Sequence, residues 1–139
     1  MAHTIHVDIV SAEGQIFAGA ATMVFVPAAE GEIGIAPRHA PLLTTLKAGE
    51  VRVQTEGRDE QSFWIGGGAL EIQPKTVSVL ADTAVRAHDL DEAEALAAKA
   101  RAEAAMRERT SDIDIAEAQA ELLRALTQLR TIERLRKKR

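Results

Sequence analysis

The chain has 139 residues and a mass of 15.0 kDa, with 46% hydrophobic and 27% charged residues, a composition that excludes intrinsic disorder. The absence of cysteine excludes disulfides and thiolate chemistry, and a net charge of −4 argues against a protein that coats nucleic acid through its overall field. No apolar run approaches the roughly eighteen residues of a membrane helix, and Met1–Val10 lacks the basic and apolar segments of a secretory signal.

In Thr4–Val10, Ile5, Val7 and Ile9 alternate with His6 and Asp8, the period of a strand with one buried face. Thr22–Val26, Glu32–Ile35, Glu50–Gln54, Gln61–Ile65, Ala69–Gln73 and Thr76–Leu80 are short and β-compatible too. Turn signals separate them at Glu13-Gly14, Ala18-Gly19, Glu30-Gly31, Ala48-Gly49, Glu56-Gly57, Gly66-Gly67-Gly68 and Pro74-Lys75. Such spacing predicts a small antiparallel β-sandwich or barrel over residues 1–87.

Beyond Ala87 the chain has no glycine, proline or aromatic residue and turns to Ala, Leu, Glu and Arg, all strong helix formers. Asp89-Leu90-Asp91-Glu92 reads as a capping box, with Asp89 as the cap. The predicted first helix runs to about Arg109 with Leu90, Ala93, Ala97, Ala100 and Ala104 on one stripe. Thr110-Ser111-Asp112 breaks it, and Asp112 or Asp114 caps a second helix. There Ile115, Ala118, Leu122, Ala125, Leu126, Leu129 and Ile132 form the apolar stripe. The expected unit over residues 88–139 is an antiparallel two-helix hairpin whose small side chains make a shallow, easily opened seam.

Little along the chain points to catalysis or metal binding. His3 and His6 are three apart in an extended segment, so they point to opposite faces and share no ion. Metal-ligand spacings and a nucleophile elbow around Ser11 are missing, which disfavours a stand-alone enzyme built on a jelly-roll-like barrel. The Gly66-Gly67-Gly68 run lacks a following GK[ST] and leads into a strand, so it reads as a bulge or a close backbone approach. The basic run Leu135-Arg136-Lys137-Lys138-Arg139 suits a helix C-terminus or an acidic docking surface, and without interleaved aromatics it does not suit nucleic acid.

Three stretches carry a family resemblance: SAEGQIFAG at 11–19, GEIGIAPRHAPLLT at 31–44 and LADTAVRAHDLDEA at 80–93. They resemble the ε subunit of bacterial F-type ATP synthases, from about Ile5 to Arg139. The resemblance implies a non-catalytic rotor subunit that couples proton flow to ATP synthesis and restrains ATP hydrolysis through its C-terminal helices. It implies that the sandwich binds the γ subunit and the c-subunit ring, and that the hairpin, when extended, meets the α and β subunits. The implied location is peripheral, on the cytoplasmic face of the bacterial inner membrane, with no membrane insertion of its own and no nucleic-acid partner.

By position, Glu30, Gly31 and Glu32 fall in the segment that resembles the c-ring contact, and Ser11, Arg38, His39 and Thr44 in those that resemble the γ-facing surface. Arg124, Arg130 and Arg134 are the implied inhibitory contacts of the extended hairpin. Some relatives bind ATP through Ile or Leu, Asp, two variable residues, Arg and Ala. Here Leu90-Asp91-Glu92-Ala93-Glu94-Ala95 puts Glu94 where the arginine belongs, leaving Asp91 and, by spacing, Arg101. An anion facing phosphate reverses the interaction, so the expectation is weak or absent ATP binding and no other cofactor. The competing reading is a generic adaptor whose hairpin binds another helical partner.

Overall fold

In a computed structural model, residues 3–108 and 111–138 are described. They form two compact units that divide between Arg86 and Ala87. The first holds eight strands: β1 (Ile5–Ser11), β2 (Gly14–Ala21), β3 (Met23–Ala28), β4 (Gly31–Ile35), β5 (Leu42–Gln54), β6 (Gln61–Ile72), β7 (Thr76–Ala81) and β8 (Ala84–Arg86). They make one continuous ladder in the order β2-β1-β7-β6-β5-β3-β4, with β8 paired to β6. All pairs are antiparallel except β1 with β7, which run parallel, His6 opposite Thr76 through Val10 opposite Leu80. These two strands are joined by no hairpin, so nothing local dictates their relative direction.

The ladder becomes a two-layered sandwich because its two longest strands change face together. In β5 the core takes Leu46 and then Val51 and Val53; in β6 it takes Phe63 and Ile65 and then Leu70 and Ile72. Inward residues thus switch between even and odd positions in both strands, although their pairing keeps one register from Leu42↔Ile72 to Val53↔Gln61. The switch falls where Ala48 pairs with Gly66 and Leu46 with Gly68. Strands that turn a corner in this way need bends or glycines. Gly67 and Gly68 supply them with φ of +109° and +149°. A Cβ on Gly68 would stand 2.1 Å from the carbonyl oxygen of Leu80, so the close approach read from the triple glycine is real. Segments 61–65 and 69–73, expected as two strands around a turn, are therefore one bent strand.

Strand β3 follows the corner with a slip in register. Phe25 opposes Arg52, but the next pair is Ala28 with Leu46, leaving residues 47–51 of β5 against only Val26 and Pro27. Ile5, Val7 and Ile9 are fully buried as their alternation required, together with Val24, Val26, Ile35, Val77 and Val79. Aliphatic residues dominate this core, with Phe63 its largest member and Phe17 tilted against it at 5.5 Å.

The second unit opens with a single 3-10 turn (Ala87–Asp89), then α1 (Glu92–Glu108) and α2 (Asp112–Lys137). The cap of α1 is not Asp89 but Asp91, whose Oδ1 accepts the Glu94 amide at 3.1 Å. Asp89 is taken up in the 3-10 turn, so the chain is not yet in register to cap with it. Likewise Ser111, rather than Asp112 or Asp114, caps α2: its Oγ accepts the Asp114 amide at 3.1 Å. The expected end at Arg109 and the break at Thr110 lie outside the described residues.

The expected stripe on α1 is on the wrong side of that helix. Ala93, Ala97 and Ala100 are exposed and Leu90 and Ala104 are half-buried, while Ala95 and Ala102 on the opposite side are fully buried, with Ala98, Lys99 and Met106 half-buried beside them. Alanines occupy every side of α1, so their spacing carries no preference for one face. On α2 the expected stripe is largely right: Ala118 and Ala125 are buried and Ile115, Leu122, Leu129 and Ile132 half-buried, whereas Leu126 is exposed. Thr127 and Thr131 are buried on a separate face of α2, their hydroxyls donating to Arg124 O and Thr127 O of their own helix. Asp91→Ala should destabilise the helical unit by about 1 kcal/mol, as loss of a cap does. Faster amide exchange in the first turn of α1 is the measurement, and Asp91→Asn should leave it slow.

Candidate functional site

The β3–β4 hairpin carries Glu30, Gly31 and Glu32 at its tip. Glu30 is exposed in the turn, Gly31 begins the β4 ladder opposite Ala28, and Glu32 follows opposite Pro27. The Glu32 carboxylate is held from below: Nη2 of Arg52 donates to both of its oxygens, at 3.2 and 3.3 Å. Arg52 also lies 3.5 Å from Glu60 and stacks 4.3 Å over the Phe25 ring, its direct neighbour across the ladder. Sequence reading missed Arg52, because the twenty positions separating it from Glu32 are closed only by the β3–β4–β5 pairing.

The four residues assigned to a second contact do not form one cluster. Arg38 and His39 lie on the 36–41 loop, where Arg38 adopts a left-handed φ of 67°. Its amide donates to Pro74 O, His39 N donates to Ala36 O, and the His39 Nδ1 is 2.7 Å from Ala40 O. Pro74 lies beside Lys75, whose carbonyl accepts the His6 amide, so this loop adjoins the start of β1. Ser11 ends the same strand, roughly 20 Å away at the rise of an extended chain. Its Oγ accepts the Glu13 amide and donates to Gly14 O, bracing the β1–β2 turn. Thr44 is half-buried on β5, in line through the ladder with Leu70, Val79 and Ile9.

The face between them carries two large exposed leucines among polar residues, the row of Leu43 continuing through Glu71, Ser78 and Asp8. Leu43 (76% exposed) and Leu80 (54% exposed) occupy the outward phase of β5 and β7, with Thr45 and Ala69 in the row of Leu80. Large exposed aliphatics at the polar phase of two strands are the signal that could have marked this face from sequence.

In the helical unit, Asp91, Glu94 and Arg101 are brought together, by bonds to one another. Asp91 accepts the Glu94 amide, and the Glu94 carboxylate accepts from Arg101 at 3.3 Å. Arg101 reaches across to Glu121 of α2 at 3.5 Å, and Arg136 reaches back to Glu92 at 3.0 Å. These cross-helix pairs link the two helices along their length, and Glu92, Glu121 and Arg136 were not foreseen. Arg124 and Arg130 are exposed on α2 and Arg134 is half-buried. Arg130 and Arg134, one turn apart, share a face; Arg124 lies about a third of a turn round from it. Among the described residues no group of three His, Asp or Glu side chains is placed to hold a metal.

An eight-stranded sandwich followed by a hairpin of helices is thus the class of protein that the fold defines. Residues 4–87 match the ATP synthase, Delta/Epsilon chain, beta-sandwich domain, and residues 88–133 the long alpha-helix domain of the same chain. The protein belongs to the ATP synthase delta/epsilon chain family. It is 59% identical to the ATP synthase epsilon chain of Nitrosococcus oceani over 138 residues, covering 99% of each chain. It is 60% identical to that of Halorhodospira halophila over 136 residues, covering 97% of this chain and 96% of the relative. Its fold resembles a chain in the cryo-EM structure of the Euglena gracilis mitochondrial ATP synthase, with a TM-score of 0.77 at 19% identity, covering 86% of this chain and 75% of the other. A chain of the Tetrahymena thermophila mitochondrial ATP synthase central stalk and c-ring gives 0.65 at 9% identity, covering 94% and 97%.

Proposed function

We propose that this chain is a rotor subunit of an F-type ATP synthase that couples proton flow to ATP synthesis and restrains ATP hydrolysis through its two C-terminal helices. The full-length similarity to bacterial ATP synthase epsilon chains, spanning both units, carries this reading. In it the sandwich is a stiff body that meets the γ subunit through the face bearing Leu43 and Leu80, flanked by Ser11, Arg38, His39 and Thr44. The tip formed by Glu30, Gly31 and Glu32 meets the c-subunit ring, whose polar loops would complement its carboxylates. The complex holds this chain peripherally on the cytoplasmic face of the bacterial inner membrane; no described helix is long and apolar enough to cross one.

The hairpin suits a movable element. The side chains buried most completely on α1 are the two alanines Ala95 and Ala102, which contribute little apolar area at about 25 cal/mol per Å². The cross-helix ion pairs are largely exposed, and such pairs contribute about 0–1 kcal/mol each. Differential contacts with the α and β subunits, through Arg124, Arg130 and Arg134, would then be enough to draw the helices open. Co-purification with γ tests the rotor assignment. A folded chain that fails to bind γ while still capturing an unrelated helical partner would favour a generic adaptor instead.

ATP is not a ligand of this chain in our reading. The carboxylate of Glu94 stands where a phosphate-binding cation is required, and it engages Arg101, the remaining cation of the set. Calorimetric titration of the full chain with ATP should give no heat of binding in the micromolar range. A saturable micromolar isotherm would overturn this assignment.

A further inference from the structure

Arg52 occupies a built environment on the outer face of the sandwich. Its side chain is only 21% exposed, whereas the Glu32 side chain it holds is 55% exposed. Behind it, Phe25 is the direct ladder partner of both Arg52 and Gly34. Gly34 makes room for that ring: a Cβ there would meet Phe25 Cε1 at 3.1 Å and Met23 Cε at 2.9 Å. So glycine at 34 lets Phe25 lie along the sheet, and the ring supports the guanidinium from one side by a cation–π contact. Glu60 takes the other nitrogen, and Gln54 in turn donates to Glu60 at 3.1 Å. The guanidinium is thereby fixed in orientation, and one of its nitrogens reaches both oxygens of Glu32.

We infer that Arg52 is a positioning residue for the β3–β4 tip: it holds the carboxylate of Glu32 upright and outward, ready for a cationic loop of a partner. A glutamate on an edge hairpin would otherwise sample several rotamers and lose that freedom on binding. Arg52 removes the freedom in advance while leaving more than half of the side chain open to solvent. The inference rests on the reading that this tip meets the polar loops of the c ring.

The test uses complexes assembled with variant chains and rebound to membranes that carry the c ring but have been stripped of the peripheral part. Glu32→Gln should weaken rebinding about three- to fivefold, the upper range for an exposed charge pair. Arg52→Met should weaken it equally, and the double variant no further, because both changes disable one group. Arg52→Lys, which keeps a cation beside Glu32, should recover part of the loss. Glu56→Gln removes an exposed carboxylate in the turn between β5 and β6, outside this cluster, and should leave rebinding within about twofold. If Arg52→Met does not fold, as its thermal melt would reveal, Arg52→Gln replaces it under the same expectations. Losses that multiply in the double variant overturn the positioning role, as does a Glu56→Gln effect as large as that of Arg52→Met. If neither Glu30→Gln nor Glu32→Gln alters rebinding, the tip does not face the ring and the inference falls with that reading. If Glu32→Gln weakens rebinding and Arg52→Met does not, the reading stands and the inference alone fails.

Discussion

Ending the chain after Arg86 should leave a folded sandwich and raise ATP hydrolysis by the assembled complex about fivefold, the low end of ordinary coupling between sites. The cut is placed by the contacts of Arg86. This residue closes β8 against β6, opposite Phe63, and its Nη2 donates to Ile16 O at 2.9 Å. Its guanidinium also lies 5.7 Å from the Phe63 ring centroid. Cutting before β8 would strip an edge from β6 and leave that carbonyl unpaired; cutting after it removes only the 3-10 turn and the two helices. The core cluster lies entirely within residues preceding the cut. Proton-driven ATP synthesis should persist, because the faces assigned to γ and to the c ring all belong to the sandwich. Hydrolysis rates and gradient-driven synthesis of the two complexes are the measurements. An unchanged hydrolysis rate with a folded sandwich would show that these helices are not a brake.

Gly68→Ala should be severely destabilising for so small a change, costing about 3–5 kcal/mol. The added Cβ would collide with the Leu80 carbonyl oxygen at 2.1 Å and with the Ala81 Cα at 2.9 Å, both of them backbone atoms that no rotamer change can move. The φ of +149° adds strain for any residue with a side chain. Relief requires β6 and β7 to separate at the corner where the ladder folds on itself, next to buried Leu70 and Val79. Gly67→Ala is the control. It has a φ of +109° but its nearest neighbour is the Leu46 carbonyl oxygen at 3.4 Å, so strain without collision should cost about 1–2 kcal/mol. Urea unfolding of the purified chains separates the two cases. Equal losses for the two variants would mean that backbone conformation, and not the close approach of β7, makes the glycine necessary.

Much of the sandwich is legible because alternation in a strand reports directly which side is buried. Ile5, Val7 and Ile9 illustrate this, as do Val77 and Val79. Strand β2 escaped because Gly14 and Gly19 both resemble turns. Gly19 is in fact paired with Val7, and a Cβ there would press on the Phe17 ring at 3.3 Å. The glycine marks a close approach within a strand, a meaning that residue type alone does not separate from a turn. Strand β8 is three residues long, too short to display a period.

The sites divide along the same line. Asp91, Glu94 and Arg101 are near in sequence, and a helix that places residues three and seven apart on one side brings them together without further help. Glu32 and Arg52 are brought together by three strands, and Glu92 and Arg136 by the return of a second helix. On α1 the buried side could not be chosen from the chain, since alanine offers every face the same small apolar gain.

By itself the sequence determined where turn-rich chain gives way to helix, which strand residues are buried, and which family the chain resembles. These are properties of neighbouring residues, fixed by local periodicity, caps and motif. Tertiary structure decided the joint change of face in β5 and β6, the parallel pairing of β1 with β7, the buried side of α1 and the support of Glu32 by Arg52. Each depends on which distant backbone comes alongside, and that is settled only when burial and hydrogen bonding of the whole ladder or hairpin are satisfied at once.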